Sequence, residues 1–340
     1  IMTTGNGTDT YIFFSTAALD SPQRITQENA FCHLSYRNGT YWASQNFQGL
    51  QPYTLSNEVL TPTQSAIQPN SPVRDYFCNM HYNGNRLLVA GGDQNYNGIN
   101  RDGTAMYYEN GTWYNFSEEG IAEQIGQTYI NTGSIVQDPN DPTHHYVGSV
   151  RRGLFEFKDL KFVANYDEQN SPIHGVPTVS NPGEYVRCDA LQYDADGNLW
   201  MANSETDTVL TVLKTDGTWS KLYYEELDMA PHCTRIFFDE KGRLWLNSNR
   251  LTWDGIFVLD YNGTIDDTSD DTHLKRQTIT NQDGITYNPD FYNCFEQDLD
   301  GAIWVGTSIG LFVIDDPENF VNNDDFVYTQ IKIARDDGTD

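Results

Sequence analysis

Short apolar runs broken by Gly, Asn and Asp recur along the whole chain. Examples are Tyr11-Ile12-Phe13-Phe14, Leu87-Leu88-Val89-Ala90, Thr234-Arg235-Ile236-Phe237-Phe238 and Gly310-Leu311-Phe312-Val313-Ile314. Runs of this length bounded by turn residues predict strands. Helical spacing is almost absent, and only Glu118 to Gln127 predicts a short helical turn. The strands are grouped by a repeated pattern: a β-rich run, Asp-x-x-Gly-x-x-Trp, then a Gly-Leu pair and a further aromatic strand. It reads Asp194, Gly197, Trp200, then Asp239, Gly242, Trp245, then Asp298, Gly301, Trp304. A weaker copy is Asn38-Gly39 with Trp42 and Gly49-Leu50. Degenerate copies place Leu88 and Tyr146 at the Trp position, the latter followed by Gly153-Leu154. Positions 42, 88, 146, 200, 245 and 304 recur at a period of roughly 45 to 60 residues, close to that of four-stranded propeller blades. The predicted fold class is therefore all-β, a β-propeller of four-stranded antiparallel blades with six visible repeats.

The turn chemistry agrees. Asp-x-x-Gly supplies a residue that tolerates positive φ where antiparallel strands reverse, and Trp on the next strand can fill the space between sheets. Fourth strands follow Asn110-Gly111-Thr112-Trp113, Asp216-Gly217-Thr218-Trp219 and Asn262-Gly263-Thr264. Residues 1–340 read as one propeller domain that is a fragment of a longer chain, with six blades over 30–334. Residues 1–29 hold a strand at Thr10 to Ser15 and a short one near Arg24 to Thr26. They read as a partial closing blade, completing a seventh blade with strands from both termini; otherwise a seventh repeat lies beyond Asp340. Cys32, Cys78, Cys188, Cys233 and Cys294 each precede their repeat's Trp position by ten or twelve residues. Even offsets place them on one face of the innermost strand of five blades, as unpaired, small, buried side chains. Facing sheets lie ~10 Å apart, too far for most disulfides, which want Cα atoms within ~7 Å.

Composition narrows the function. There are 48 acidic and 20 basic residues, for a formal charge of −28, which argues against nucleic acid or anionic membrane partners. Aromatic residues make up 13% of the chain, too many for a disordered acidic one. No apolar run approaches the ~20 residues of a membrane span, so membrane insertion is not expected. No signal segment opens the chain, so residue 1 reads as an internal start. The histidines, including the adjacent His144 and His145, show no ligand spacing, and no hydrolase elbow, zinc motif or phosphate loop occurs. No catalytic residue is assigned and the protein reads as a non-enzyme without a cofactor. An alternative is Ca²⁺ at the carboxylates Asp266, Asp267, Asp270 and Asp271, which otherwise form a solvated hairpin tip.

Topology points to a binding face. In a four-stranded blade, the connections between second and third strands emerge beside those leading to the next blade. These segments carry Phe47, Tyr96, Arg101, Arg151, Arg152, Tyr185, Arg250, Trp253 and Tyr292. Arg and aromatic side chains on long loops suit a carbohydrate or protein partner, whereas the opposite face carries tight turns.

The Asp-x-x-Gly-x-x-Trp unit with its Gly-Leu pair resembles the two-component regulator propeller repeat of Bacteroidetes surface and periplasmic proteins. Residues 106–120, 153–157 with 166–172, 212–219, 262–271 and 331–340 are similar to the PorZ-like proteins of the type IX secretion system. That resemblance covers about residue 75 to 340. It implies a periplasmic or cell-surface component that helps attach secreted cargo, with a glycan, lipopolysaccharide or surface-complex proteins as partners. The alternative it leaves open is the ligand-sensing propeller of a hybrid two-component system detecting oligosaccharides.

Overall fold

In a computed structural model of the chain, the described residues are 2–5, 10–14, 23–27, 33–45, 49–57, 59–92, 99–248 and 255–333. They are almost entirely strand and turn, and the fold is a multi-bladed β-propeller. The chain divides into two compact units, Ile1–Ser71 and Pro72–Asp340. No helix among the described residues is long and apolar enough to cross a membrane.

The first unit holds two antiparallel sheets. One joins Met2–Gly5, Thr10–Phe14 and Gln23–Gln27, a strand more than the sequence suggests for this stretch. The other is blade one, a meander of His33–Arg37, Thr40–Gln45, Gly49–Ser56 and Val59–Pro62. Leu34, Ala43, Tyr53 and Leu60 form its apolar centre.

The second unit contains five four-stranded meanders. Their first and last strands are Asn79–Asn83 and Thr112–Asn115 in blade two, and Thr132–Asp138 and Lys161–Tyr166 in blade three. Blade four runs from Ala190–Tyr193 to Trp219–Leu222, blade five from Arg235–Phe238 to Thr272–Arg276, and blade six from Tyr292–Gln297 to Thr329–Gln330. The first strands of successive blades are neighbours and are the innermost ones. Those of blades two to five line one narrow cavity of about 20 Å³, with Asn79, His81, Ser134, Gln192 and Arg235 on its wall. Apolar clusters fill the spaces between blades, for instance Trp200 and Leu210 of blade four against Leu246 and Phe257 of blade five.

The repeated motif has a specific cause. In blade four, Asp194 Oδ1 accepts the backbone N–H of Asp196 at 3.0 Å and of Asn198 at 2.8 Å, while Oδ2 accepts the Trp200 indole N–H at 2.9 Å. Asp239 does the same for Lys241, Arg243 and Trp245, and Asp298 for Asp300, Ala302 and Trp304. One carboxylate thus closes the turn and orients the ring two strand positions later. The Gly that begins the third strand is required by space as well as by φ. Gly153, at φ +72°, would place a Cβ 2.2 Å from the Tyr166 carbonyl, and Gly255, at φ +126°, one 2.5 Å from that of Arg276.

The short helix expected within 118–127 is present as Ile121–Ile125. A second, Pro317–Asn322, is capped by Asp316, which accepts the N–H groups of Glu318 and Asn319. The four described cysteines, Cys78, Cys188, Cys233 and Cys294, form no disulfide with one another and lie in or just ahead of innermost strands. Uniform burial is not observed: Cys188 and Cys233 are buried, Cys78 is half-buried and Cys294 is exposed. Blade six packs its other face on blade five, through Phe295 and Phe312 against Phe237 and Trp245, and leaves the Cys294 face open within this unit. Cys32 lies outside the described residues.

Candidate functional site

The long connections meet as the topology requires. Asn203, at the end of blade four's second strand, donates through Nδ2 to the Arg187 carbonyl at 2.7 Å and the His174 carbonyl at 3.0 Å. Asn247 donates likewise to the Tyr292 carbonyl at 2.6 Å. Each second-to-third connection is thereby tied to the segment leading into the next or its own blade. This construction brings three of the expected residues together. Arg151 and Arg152 sit between the second and third strands of blade three, and Tyr185 lies in the segment leading into blade four.

Two guanidinium groups lie near the Tyr185 ring, with the carbon of Arg151 5.6 Å and that of Arg187 5.7 Å from its centroid. Arg151 Nη1 donates to Asn100 Oδ1 at 3.1 Å, and Arg152 Nη1 donates to the Glu184 carbonyl at 2.7 Å. Both arginines are half-buried. Beneath them lies a buried ion pair that sequence reasoning missed. Arg187 donates through Nε and Nη2 to Asp189 Oδ2 at 3.0 and 2.8 Å, and through Nη1 to the Tyr185 hydroxyl at 2.7 Å. Glu205 stands 3.4 Å from Nη1. Burial opposes the Arg187 charge, but Asp189, Tyr185 and Glu205 outweigh it and hold the guanidinium protonated. Such a pair is costly to break, because one uncompensated charge stays in the interior. It anchors Tyr185 from below, so the rim cluster stands on a rigid base. The only sequence signal was an Arg-x-Asp spacing just ahead of the strand Ala190–Tyr193.

The remaining expected residues fare differently. Tyr292 is a correction: it is fully buried as the first residue of blade six's innermost strand, and its hydroxyl donates to the Gln277 carbonyl at 2.9 Å. The sequence offered no boundary between loop and strand there. Phe47, Tyr96, Arg250 and Trp253 lie outside the described residues. Arg101 stacks on Tyr76 at 4.9 Å. The four carboxylates of the acidic hairpin do not converge. Asp266 pairs with Lys214 at 2.7 Å and accepts from Ser220, Asp267 accepts from Ser269, Asp270 from Thr264, and Asp271 from the Tyr224 hydroxyl. Among the described residues no group of three His, Cys, Asp or Glu side chains is gathered for a metal ion. Each carboxylate is turned toward its own local donor instead.

On the opposite, tight-turn face a cleft of about 400 Å³ opens between blades three and four. Tyr166 and Trp219, each on a fourth strand, form its outer wall with ring centroids 5.6 Å apart. His144 lies on the blade-three side, with Nδ1 3.1 Å from Asp138 and Nε2 2.8 Å from Glu156, and the Tyr166 hydroxyl donates to Glu156 at 2.7 Å. The Glu156 hydrogen bond raises the His144 pKa, aided by Asp138, while His144 and Tyr166 lower that of Glu156 despite partial burial. The sequence reading discounted this face because its turns are short. The available signal was the Trp following Asp216-Gly217, on a strand too close to the edge for full burial.

No family model matches the chain, and no curated protein sequence matches it. Solved structures do. Over 96% of this chain and 43% of the other, the fold is similar to PorZ, an essential bacterial surface component of the type IX secretion system of Porphyromonas gingivalis, with TM-score 0.78 and 22% identity. The extracellular domain of a hybrid two-component system protein from Bacteroides thetaiotaomicron aligns with 90% of the chain and 39% of its own length, at TM-score 0.49 and 15% identity. The chain thus spans less than half of either structure. The PorZ likeness establishes the propeller fold.

Proposed function

We propose that this chain is a non-enzymatic binding or scaffold propeller acting outside the cytoplasm, at the bacterial periplasm or cell surface, in the manner of a PorZ-like type IX secretion component. Its partner is a glycan such as lipopolysaccharide, or a protein of the surface complex, met by the loop-rich face. The observation that carries this reading is the Arg151–Tyr185–Arg152 cluster, held at the rim by a buried ion pair on a propeller that superposes on PorZ through nearly its whole length. Guanidinium groups beside an aromatic ring suit anionic sugar or phosphate groups, and the base below them removes the cost of ordering the side chains. The test is binding of the purified chain to immobilised lipopolysaccharide and to outer-membrane extracts of a type IX-secreting bacterium. Arg152→Ala and Tyr185→Ala should each weaken capture by roughly fivefold or more, the range of a lost interface anchor. Unchanged capture by both variants rejects the face.

A further inference from the structure

The cleft between blades three and four combines an apolar wall with polar groups that the protein itself leaves unused. The rings of Tyr166 and Trp219 are half-buried and line it together with Leu199 and Leu213. Tyr146, Tyr193, Trp219 and Asn140 also line the cleft, and among the described residues no group hydrogen-bonds their side-chain polar atoms. These groups reach solvent, so a ligand that is apolar on one side and hydroxylated at its edge would replace water on them while covering the aromatic wall. The volume falls in the range of small-ligand sites, ~300–1,000 Å³.

Charge narrows the class. The cations at the cleft are already matched: His144 lies between Asp138 and Glu156, and Lys214 pairs with Asp266 at 2.7 Å. An anionic ligand would find two carboxylates and no spare cation, whereas a neutral one meets no penalty. The turns that form the mouth are closely fitted. A Cβ on Gly197 would lie 3.2 Å from Asn140 Nδ2 and 3.3 Å from Thr215 Cγ2, so Asn140 of blade three and Thr215 of blade four both flank this turn at the rim.

We propose that this cleft is a binding site for a neutral pyranose ring, its C–H face stacked on Trp219 and Tyr166 and its hydroxyls bonded to Asn140, Tyr146 and Tyr193. It is a second site, on the face opposite the arginine cluster, and does not depend on what that cluster binds. The experiment is saturation-transfer NMR on the full chain with the methyl glycosides of glucose, galactose, mannose, rhamnose and N-acetylglucosamine, with affinity followed by tryptophan fluorescence. At least one of these sugars should show transfer strongest at ring C–H protons. Trp219→Ala should weaken it by roughly tenfold and Asn140→Ala by roughly threefold, the effects of removing a stacking platform and one hydrogen bond. Arg152→Ala should leave it unchanged. Asn140 is exposed in a turn, so its variant keeps the fold if Trp219→Ala does not. No transfer from any of the five sugars overturns the proposal, as does transfer undiminished in Asn140→Ala and in folded Trp219→Ala, or lost equally in Arg152→Ala.

Discussion

His144 and His145 are neighbours on one strand, and alternation sends them into opposite environments. His144 reaches the carboxylates Asp138 and Glu156 at the cleft, whereas His145 is buried among the rings of Tyr107 and Phe116, at centroid distances of 5.8 and 4.9 Å. Their protonation therefore responds in opposite ways. The His144 pKa is raised above 6.5, so its stabilising contribution is complete below that value and is lost as pH rises through the higher folded one. Burial lowers that of His145 to about 4, so the unfolded chain binds the extra proton first and stability falls as pH drops from 6.5 toward that value. Replacing His145→Phe should flatten the loss of thermal stability across this acidic window, while His144→Gln should cost most near neutral or mildly acidic pH and least in alkaline buffer. Parallel melting curves for both variants across pH check this; equal pH profiles for the two would contradict the placement. Neither role was visible from the dipeptide, because a lone pair of histidines says nothing about what faces each side of its strand.

At the level of the hairpin, the motif was legible as a pattern and illegible as a mechanism. Gly and Trp could be assigned to a turn and an inter-blade filling from residue type alone. The function of the Asp needed coordinates, since one carboxylate bonding two backbone N–H groups and an indole six residues on is a three-dimensional coincidence repeated three times. Burial grades its importance. Trp200 and Trp245 are fully buried, but Trp304 is 37% exposed on the open face of blade six. Asp194→Ala leaves the Trp200 and Asn198 donors unmatched in the interior and should cost about 3 kcal/mol. Asp298→Ala should cost clearly less, because water can replace the carboxylate. Thermal or urea unfolding of the two variants decides the point, and equal losses would mean that the turn, not the buried indole, carries the energy. The same logic explains Cys294 and Tyr292. Register put both near the right strand, but which face is covered depends on whether another sheet lies against it.

For the molecule as a whole, the excess of acidic residues is a property of the field rather than of any site. A formal charge of −28 repels itself in the compact state, and salt screens exposed charges beyond about 8–10 Å. Moderate sodium chloride should therefore raise the melting temperature, and the chain should bind neither DNA nor anionic vesicles at physiological salt. A melting temperature that falls steadily with salt would instead show that solvent-facing ion pairs such as Lys241–Glu318 and Lys332–Asp283 dominate the balance. Composition, strand-length apolar runs and the spacing of Asp, Gly and Trp were enough to specify an all-β propeller of four-stranded antiparallel blades, because those features follow from chain-local geometry and repetition. The division after Ser71, the approach of Glu205 to the Arg187–Asp189 pair and the aromatic cleft between blades three and four came from packing between segments apart in sequence, and no local rule encodes which side chains of two neighbouring sheets leave a gap.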